Sequence, residues 1–429
     1  MKVLIKNGLV IDPETKTEKI TDVLIEDDTV KKISEKIKED ADRVIDAKGC
    51  YVMPGFIDLH VHLREPGFEY KGNVETESRA AAHGGYTTIC AMPNTKPVID
   101  NKDRVDFIHN KAKAVSPINV LQIGAISKKQ AGEELADIAD MVEAGSPAIS
   151  EDGKSVMNLD LYVKAMNIAK ELDIPVMAHC EDKTLAKDGA INAGVKAEEL
   201  HVHGITNSVE DVIVIRDILL AKETGVHLHL CHCSTAESVE EVRIAKEKGI
   251  KVSAEVCPHH FVLSEDDIPG DDANYKMNPP LRSKADVEAL RKGLADDIMD
   301  VIATDHAPHH EDEKKLSIAK APFGIIGLET AAALTYTYLV EGGFITKMQM
   351  AEKMSYNPAR IINIDKGTIT EGKTADIVIF DPEAEYTIKA EDFMSKAKNS
   401  PFIGMKVKGK VKNTICGGKI VYDDSKNRK

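Results

Sequence analysis

Two histidines one residue apart, His60 and His62, follow the apolar run Val52 to Ile57 in the segment Asp58-Leu59-His60-Val61-His62. On an extended strand such alternate side chains share a face roughly 7 Å apart, close enough for two imidazoles to hold one metal ion. Later apolar runs also end in groups able to bind a metal: Asp152, His179, His232 and Asp305. Four imidazoles and two carboxylates exceed one tetrahedral zinc. They suit two ions about 3.5 to 4 Å apart, bridged by a carboxylate and a water. The pattern therefore predicts a binuclear metal centre.

Residues this far apart in the chain need a scaffold that gathers strand ends. Eight strand-like runs alternate with helix-period segments: Val52 to His62, Tyr86 to Met92, Ile118 to Ala125, Ser146 to Ser150, Ile174 to His179, Val226 to His232, Lys251 to Val256 and Met299 to Asp305. This alternation predicts an α/β fold, a closed (β/α)8 barrel of the TIM type, whose chemistry sits at the C-terminal ends of its strands. In the helix after the sixth run, Ser234 and Glu237 read as a capping box. Short β-branched runs punctuated by turn residues occupy both ends of the chain: Val3 to Ile5, Leu9 to Ile11 after Asn7-Gly8, Asp22 to Ile25 and Val44 to Ile45, then Ala375 to Phe380, Val407 to Val411 and Lys419 to Val421. They predict one small antiparallel β unit, a β-sandwich formed by residues 1–53 with 366–429, beside a catalytic barrel over 54–365.

In His227-Leu228-His229-Leu230-Cys231-His232-Cys233, period-two alternation sets His227, His229, Cys231 and Cys233 on one face and His232 on the other. With His232 turned into the barrel, both cysteines are expected to pack outward against helices rather than form a separate Cys/His site. His201, His203, His259, His260 and His310 are expected in surface or loop positions.

The chain has 429 residues, 42% of them hydrophobic, enough for one large domain and a smaller companion. Its formal charge of −15 argues against nucleic acid as a partner, because phosphate binding needs a basic surface. Seven scattered cysteines suit reduced thiols better than a disulfide framework. No run reaches the ~20 apolar residues of a membrane span, and the N-terminus reads as a strand rather than a signal peptide, so no membrane partner and a cytoplasmic location are expected.

The motifs Pro54-Gly55-Phe56-Ile57-Asp58-Leu59-His60-Val61-His62-Leu63-Arg64-Glu65-Pro66-Gly67, Met92-Pro93-Asn94-Thr95, Ser150-Glu151-Asp152-Gly153, Met277-Asn278-Pro279-Pro280-Leu281-Arg282, Thr304-Asp305-His306-Ala307-Pro308-His309 and Pro322-Phe323-Gly324-Ile325-Ile326-Gly327-Leu328-Glu329 together resemble the amidohydrolase superfamily, and within it the class I dihydroorotases. The resemblance spans essentially the whole chain. It implies zinc-dependent, reversible hydrolysis of the cyclic amide of (S)-dihydroorotate to N-carbamoyl-L-aspartate, the third step of pyrimidine biosynthesis. Two Zn²⁺ per subunit are implied, bridged by Asp152, where dihydropyrimidinases and allantoinases of the superfamily use a carboxylated lysine. Lys154, the nearest lysine, is expected to be a solvated side chain, and Glu151 is a small departure from the class I turn.

A zinc-held water has its pKa lowered from about 15.7 to near 7, and a carboxylate at the eighth strand can take its proton and return it to the leaving nitrogen. Asp305 is the candidate for that role. The substrate's carboxylate calls for a cation, and Arg64 stands two residues beyond His62 on the same strand face. The resemblance adds Asn94 for that carboxylate, Asn278, Phe323 and Gly324 for the ring amide and carbonyl groups, and His62, Leu63 and His309 among the substrate contacts. Residues 309–320 are expected to form a mobile loop over the site. A homodimer and a complex with aspartate carbamoyltransferase are implied as partners. Two other readings stand beside it: an allantoinase or dihydropyrimidinase, which would not need Arg64, and a silent scaffold for aspartate carbamoyltransferase, against which the complete set of ligands argues.

Overall fold

The computed structural model describes residues 1–426. Eight parallel positions surround a central layer of side chains: Phe56–Val61, Tyr86–Ala91, Asn119–Gln122 continued by Gly124–Ala125, Ile149–Ser150, Val176–Ala178, Leu228–Leu230, Val252–Val256 and Val301–Ile302. Neighbours pair in parallel around the ring. The last strand returns to the first through the parallel bridge between Val61 and His306 and the His62 N–H to His306 O bond of 2.8 Å. Asp58 fastens the same seam, accepting the Thr304 hydroxyl at 2.6 Å and the Thr304 and His60 amides at 3.2 and 3.0 Å. Ile57, Leu59, Cys90, Met92, Ile123, Met177 and Val301 pack together in one buried cluster. Phe56, Val61, Val176, Leu228, Leu230, Ala254 and Val256 belong instead to the large core shared with the helices. Burying each such large side chain is worth about 1.5–3 kcal/mol.

The first expected run proves to be two strands. Tyr51–Pro54 pairs antiparallel with Ile377–Phe380 of the C-terminal segment, while Phe56–Val61 turns away into the barrel. Gly55 makes the junction, where a Cβ would come within 2.3 Å of Thr87 Cγ2. Strands Lys2–Asp12, Thr17–Glu26, Thr29–Ser34, Arg43–Asp46, Tyr51–Pro54, Ile377–Thr387, Lys406–Cys416 and Lys419–Asp423 form one sheet, so the two chain ends do meet. That sheet is not wholly antiparallel, because Lys2–Asp12 pairs in parallel with Arg43–Asp46 and with Tyr51–Pro54. Asn7-Gly8 is no turn either. Asn7, at φ 62°, takes up a register shift inside one continuous strand, as a β-bulge does.

The helix after the sixth strand, Ala236–Glu247, is capped by Thr235, whose hydroxyl accepts from Ser238 N. Ser234, the expected cap, instead donates to Glu210 and accepts from Arg282 at 3.1 Å. Between the fifth and sixth strands the chain makes an excursion that sequence periodicity does not announce. It contains the helix Lys183–Ala186, the short parallel pair Ile191–Asn192 and Gly204–Ile205, and the helix Val195–Glu199. No helix among the described residues is long and apolar enough to cross a membrane. All seven cysteines are free.

Candidate metal centre

All six predicted ligands meet at the C-terminal mouth of the barrel, each buried. His60 Nε2 lies 3.1 Å from Asp152 Oδ1 and 3.7 Å from Asp305 Oδ1, and His62 Nε2 lies 2.9 Å from Asp305 Oδ1 and 3.7 Å from Asp152 Oδ2. Across the mouth, His179 Nδ1 approaches His232 Nε2 at 2.9 Å and Asp152 Oδ1 at 3.7 Å. Among the described residues, Asp152 is the one carboxylate within 4.0 Å of all four imidazoles.

Local backbone geometry aims these groups. A register shift between Asp58 and Val61 re-directs His60 after Leu59 has packed into the inner cluster. Arg64 (φ 66°), His232 (φ 36°) and Asp305 (φ 47°) all adopt the left-handed conformation that non-glycine residues seldom take. Such residues cost about 1–3 kcal/mol each and tend to cluster at functional sites. At His232 this turn also ends the strand alternation. Cys231 therefore packs with Ile57 and Leu59 in the inner cluster, against expectation, and only Cys233 joins the helix-side core as expected.

Carboxylates and amides fix which imidazole nitrogen faces the centre. His62 Nδ1 donates to Asn94 Oδ1 at 2.9 Å, and Asn94 Nδ2 donates to Asp152 Oδ2 at 2.8 Å, so Asn94 holds both groups while lining the cavity. His60 Nδ1 meets Glu255 Oε1 at 2.8 Å. His179 Nε2 faces Glu181 Oε2 at 3.3 Å, leaving Nδ1 for the centre. His60 Nε2 is buried and makes no hydrogen bond despite its acidic surroundings. A buried ring nitrogen turned toward the Asp152 and Asp305 carboxylates without a hydrogen-bond partner fits a divalent cation.

The electrostatics agree. Burial raises the Asp305 carboxyl, but the His62 hydrogen bond and the imidazoles of His60 and His232 bring it down to about 2. Burial likewise opposes ionisation of Asp152, which His60, His62 and His179 hold well below the usual carboxylate range. Burial drives His60 toward neutrality, yet Asp152 and Glu255 outweigh it and raise its pKa. At His179 burial is likewise outweighed, by Glu181 and Asp152. A cation entering this field displaces those protons. We predict that metal uptake at about pH 7 releases protons and that apparent affinity rises with pH. Calorimetric titration in two buffers of different ionisation enthalpy measures this, and uptake without proton release would contradict it.

A cavity of about 330 Å³ opens over the centre, lined by His62, Arg64, Asn94, Asp152, His179, His232, Asn278, Asp305, Phe323 and Gly324 among others. Arg64 Nε donates to Pro308 O at 3.0 Å and Nη2 lies 3.1 Å from His309 Nε2, which orients the guanidinium. Gly324, at φ 123°, has no room for a Cβ, which would lie 2.6 Å from Ala307 Cβ. Leu63 turns its side chain into the core, leaving only its backbone for a ligand. His309 is buried behind Arg64, with Nε2 2.8 Å from Phe323 O, and the segment after it contains the helix Glu311–Lys314. Sequence reasoning missed Glu181, Lys183 and Lys187, which also line the cavity, and Glu255 beneath it.

Glu151 is buried and accepts the Ile126 and Ser127 amides at 3.1 and 3.0 Å, anchoring the loop after the third strand. Lys154 is exposed, donating to Gln130 O at 2.6 Å. His201 and His203 are exposed as expected, but His259 and His260 are fully buried beyond the seventh strand.

A family model described as dihydro-orotase-like matches residues 49–238. A protein named dihydroorotase from Ruminiclostridium cellulolyticum is 45% identical, over 97% of this chain and 98% of its own length. Another so named, from Clostridium acetobutylicum, is 48% identical over 98% of this chain and 100% of its own. The chain belongs to the dihydroorotase family. Among solved structures, L-hydantoinase (dihydropyrimidinase) from Arthrobacter aurescens superposes with a TM-score of 0.88 at 27% identity, covering 98% of this chain and 96% of that one. Membership in the dihydroorotase family makes the strand-end histidines part of a hydrolase of cyclic amides, and their convergence accords with metal dependence.

Proposed function

We propose that the protein is a dihydroorotase, interconverting (S)-dihydroorotate and N-carbamoyl-L-aspartate in pyrimidine biosynthesis. The observation that carries this reading is a guanidinium, Arg64, lining the same small cavity as five of the six candidate metal ligands, His62, Asp152, His179, His232 and Asp305. A carboxylated cyclic amide needs both, whereas dihydrouracil or allantoin has no carboxylate for Arg64 to meet.

Two zinc ions would be the cofactors in this reading, and His60, His62, Asp152, His179, His232 and Asp305 are the side chains that would hold them. When bound, they supply an acidified water and polarise the amide oxygen. The Asp305 carboxylate would accept the proton of the attacking water and return it to the ring nitrogen as the amide opens. Arg64 and Asn94 bind the substrate carboxylate. Asn278, the backbone at Leu63 and around Phe323-Gly324, and His309 orient the ring. The short side-chain reach between Asn94, His62 and Asp152 keeps the carboxylate site and the reacting amide in fixed relation.

Residues 54–365 form the catalytic barrel in this proposal, and 1–53 with 366–429 a small sandwich, of which 427–429 lie outside the described residues. A cytoplasmic homodimer, able to associate with aspartate carbamoyltransferase, completes it. Metal-replete enzyme should open the ring of dihydroorotate at least about 100-fold more efficiently than dihydrouracil or allantoin, the discrimination expected when a buried charge loses its partner. Faster turnover of either neutral substrate would assign the chain to the dihydropyrimidinase or allantoinase reading. Failure on all three would favour the scaffold.

A further inference from the structure

Beneath the mouth, the barrel interior carries a column of polar side chains where apolar packing is the rule. Glu255 is fully buried in the seventh strand, and Ser253 lies two residues before it on the same face. His229 comes from the sixth strand, with half-buried His227 just before it. They form a continuous chain. Glu255 Oε1 lies 2.8 Å from His60 Nδ1 and Oε2 lies 3.0 Å from His229 Nε2; Ser253 Oγ lies 2.9 Å from both His229 Nδ1 and His227 Nε2. The His232 amide also donates to Glu255 Oε1, at 3.1 Å.

An ionised carboxylate can only accept, so His60 must present Nδ1–H and His229 must present Nε2–H. With its Nε2–H on Glu255, His229 accepts the Ser253 hydroxyl at Nδ1, and the serine oxygen accepts from His227 Nε2–H. Every donor in the column points toward Glu255. At the top, the proton held on His60 Nδ1 leaves Nε2, which faces Asp152 and Asp305, as the nitrogen free to bind an arriving cation. The lower members hold the other carboxylate oxygen, through His229 Nε2 at 3.0 Å, and so restrain the group that meets His60.

We propose that the column Glu255–His229–Ser253–His227 is a positioning device that locks His60 in its Nδ1–H tautomer and thereby sets how firmly the metal centre retains its ion. The proposal rests on the reading of His60 as a ligand. None of the column's members is placed on the substrate, so its effect reaches the reaction only through His60.

Glu255→Gln tests it at nearly constant volume. One end of the amide becomes a donor, which faces an N–H from either His60 or His229 in a fully buried position. The expected result is a metal affinity lower by about 10–100-fold in chelator competition. Ser253→Ala, which touches no proposed ligand, should show a smaller loss in the same direction. Nitrogen-15 NMR of the zinc-loaded protein should show His60 protonated at Nδ1 in wild type, with that N–H signal weakened or lost in Glu255→Gln. Unchanged metal affinity in both variants, with far-ultraviolet circular dichroism confirming their fold, would overturn the proposal. A wild-type protein that binds no metal at His60 would instead overturn the ligand reading beneath it.

Discussion

Asp305→Asn is expected to lower kcat by about 10³-fold or more while the protein keeps its metal. Proton transfer by a positioned side chain contributes about 10²–10⁴-fold, and here the same group also orients His62 at 2.9 Å. Asparagine is the right replacement because Asp305 sits at φ 47°, a conformation asparagine tolerates better than alanine does. The change therefore removes proton acceptance without adding backbone strain. Burial and His62 between them leave the carboxyl at about 2, so it is ionised at neutral pH and able to accept a proton. Metal content by elemental analysis and single-turnover ring opening measure the two effects separately. Near-normal turnover with full metal would remove Asp305 from the chemistry.

The second large effect is one of specificity. Arg64→Met keeps the length and apolar stem of the side chain and the same left-handed backbone, but deletes the charge. Hydrogen bonds to charged groups are worth about 1.5–3 kcal/mol, so kcat/KM for dihydroorotate should fall roughly 10–150-fold. Activity on dihydrouracil, however low, should change by less than about threefold, because no carboxylate is lost from that complex. An equal loss on both substrates would mean that Arg64 supports the loop at Pro308 and His309 rather than the substrate.

The sequence was legible where periodicity and chemistry coincide. His60, His62, Asp152, His179, His232 and Asp305 were found as polar groups ending apolar runs, and a barrel brings strand ends together. Legibility failed where the strand itself ends or bends. Cys231 was assigned to the outer face by extending alternation through His232, whose φ of 36° breaks it. The run Val52 to His62 hid a change of sheet at Gly55, because a buried strand of either sheet has the same apolar texture. Glu255 carried a signal that went unread, a charged residue within the apolar run Lys251 to Val256. A buried charge inside a strand needs a partner, and its partners His60 and His229 are themselves histidines of the same interior. Parallel pairing in the terminal sheet was invisible because strand composition does not encode direction.

In the proposed function, six side chains hold two cations around Asp152. Crystals of the metal-replete protein, with diffraction recorded on both sides of the zinc absorption edge, test it most directly. Two anomalous peaks about 3.5–4 Å apart are predicted, one beside His60, His62 and Asp305 and the other beside His179 and His232. A single peak, or peaks remote from Asp152, would contradict the account.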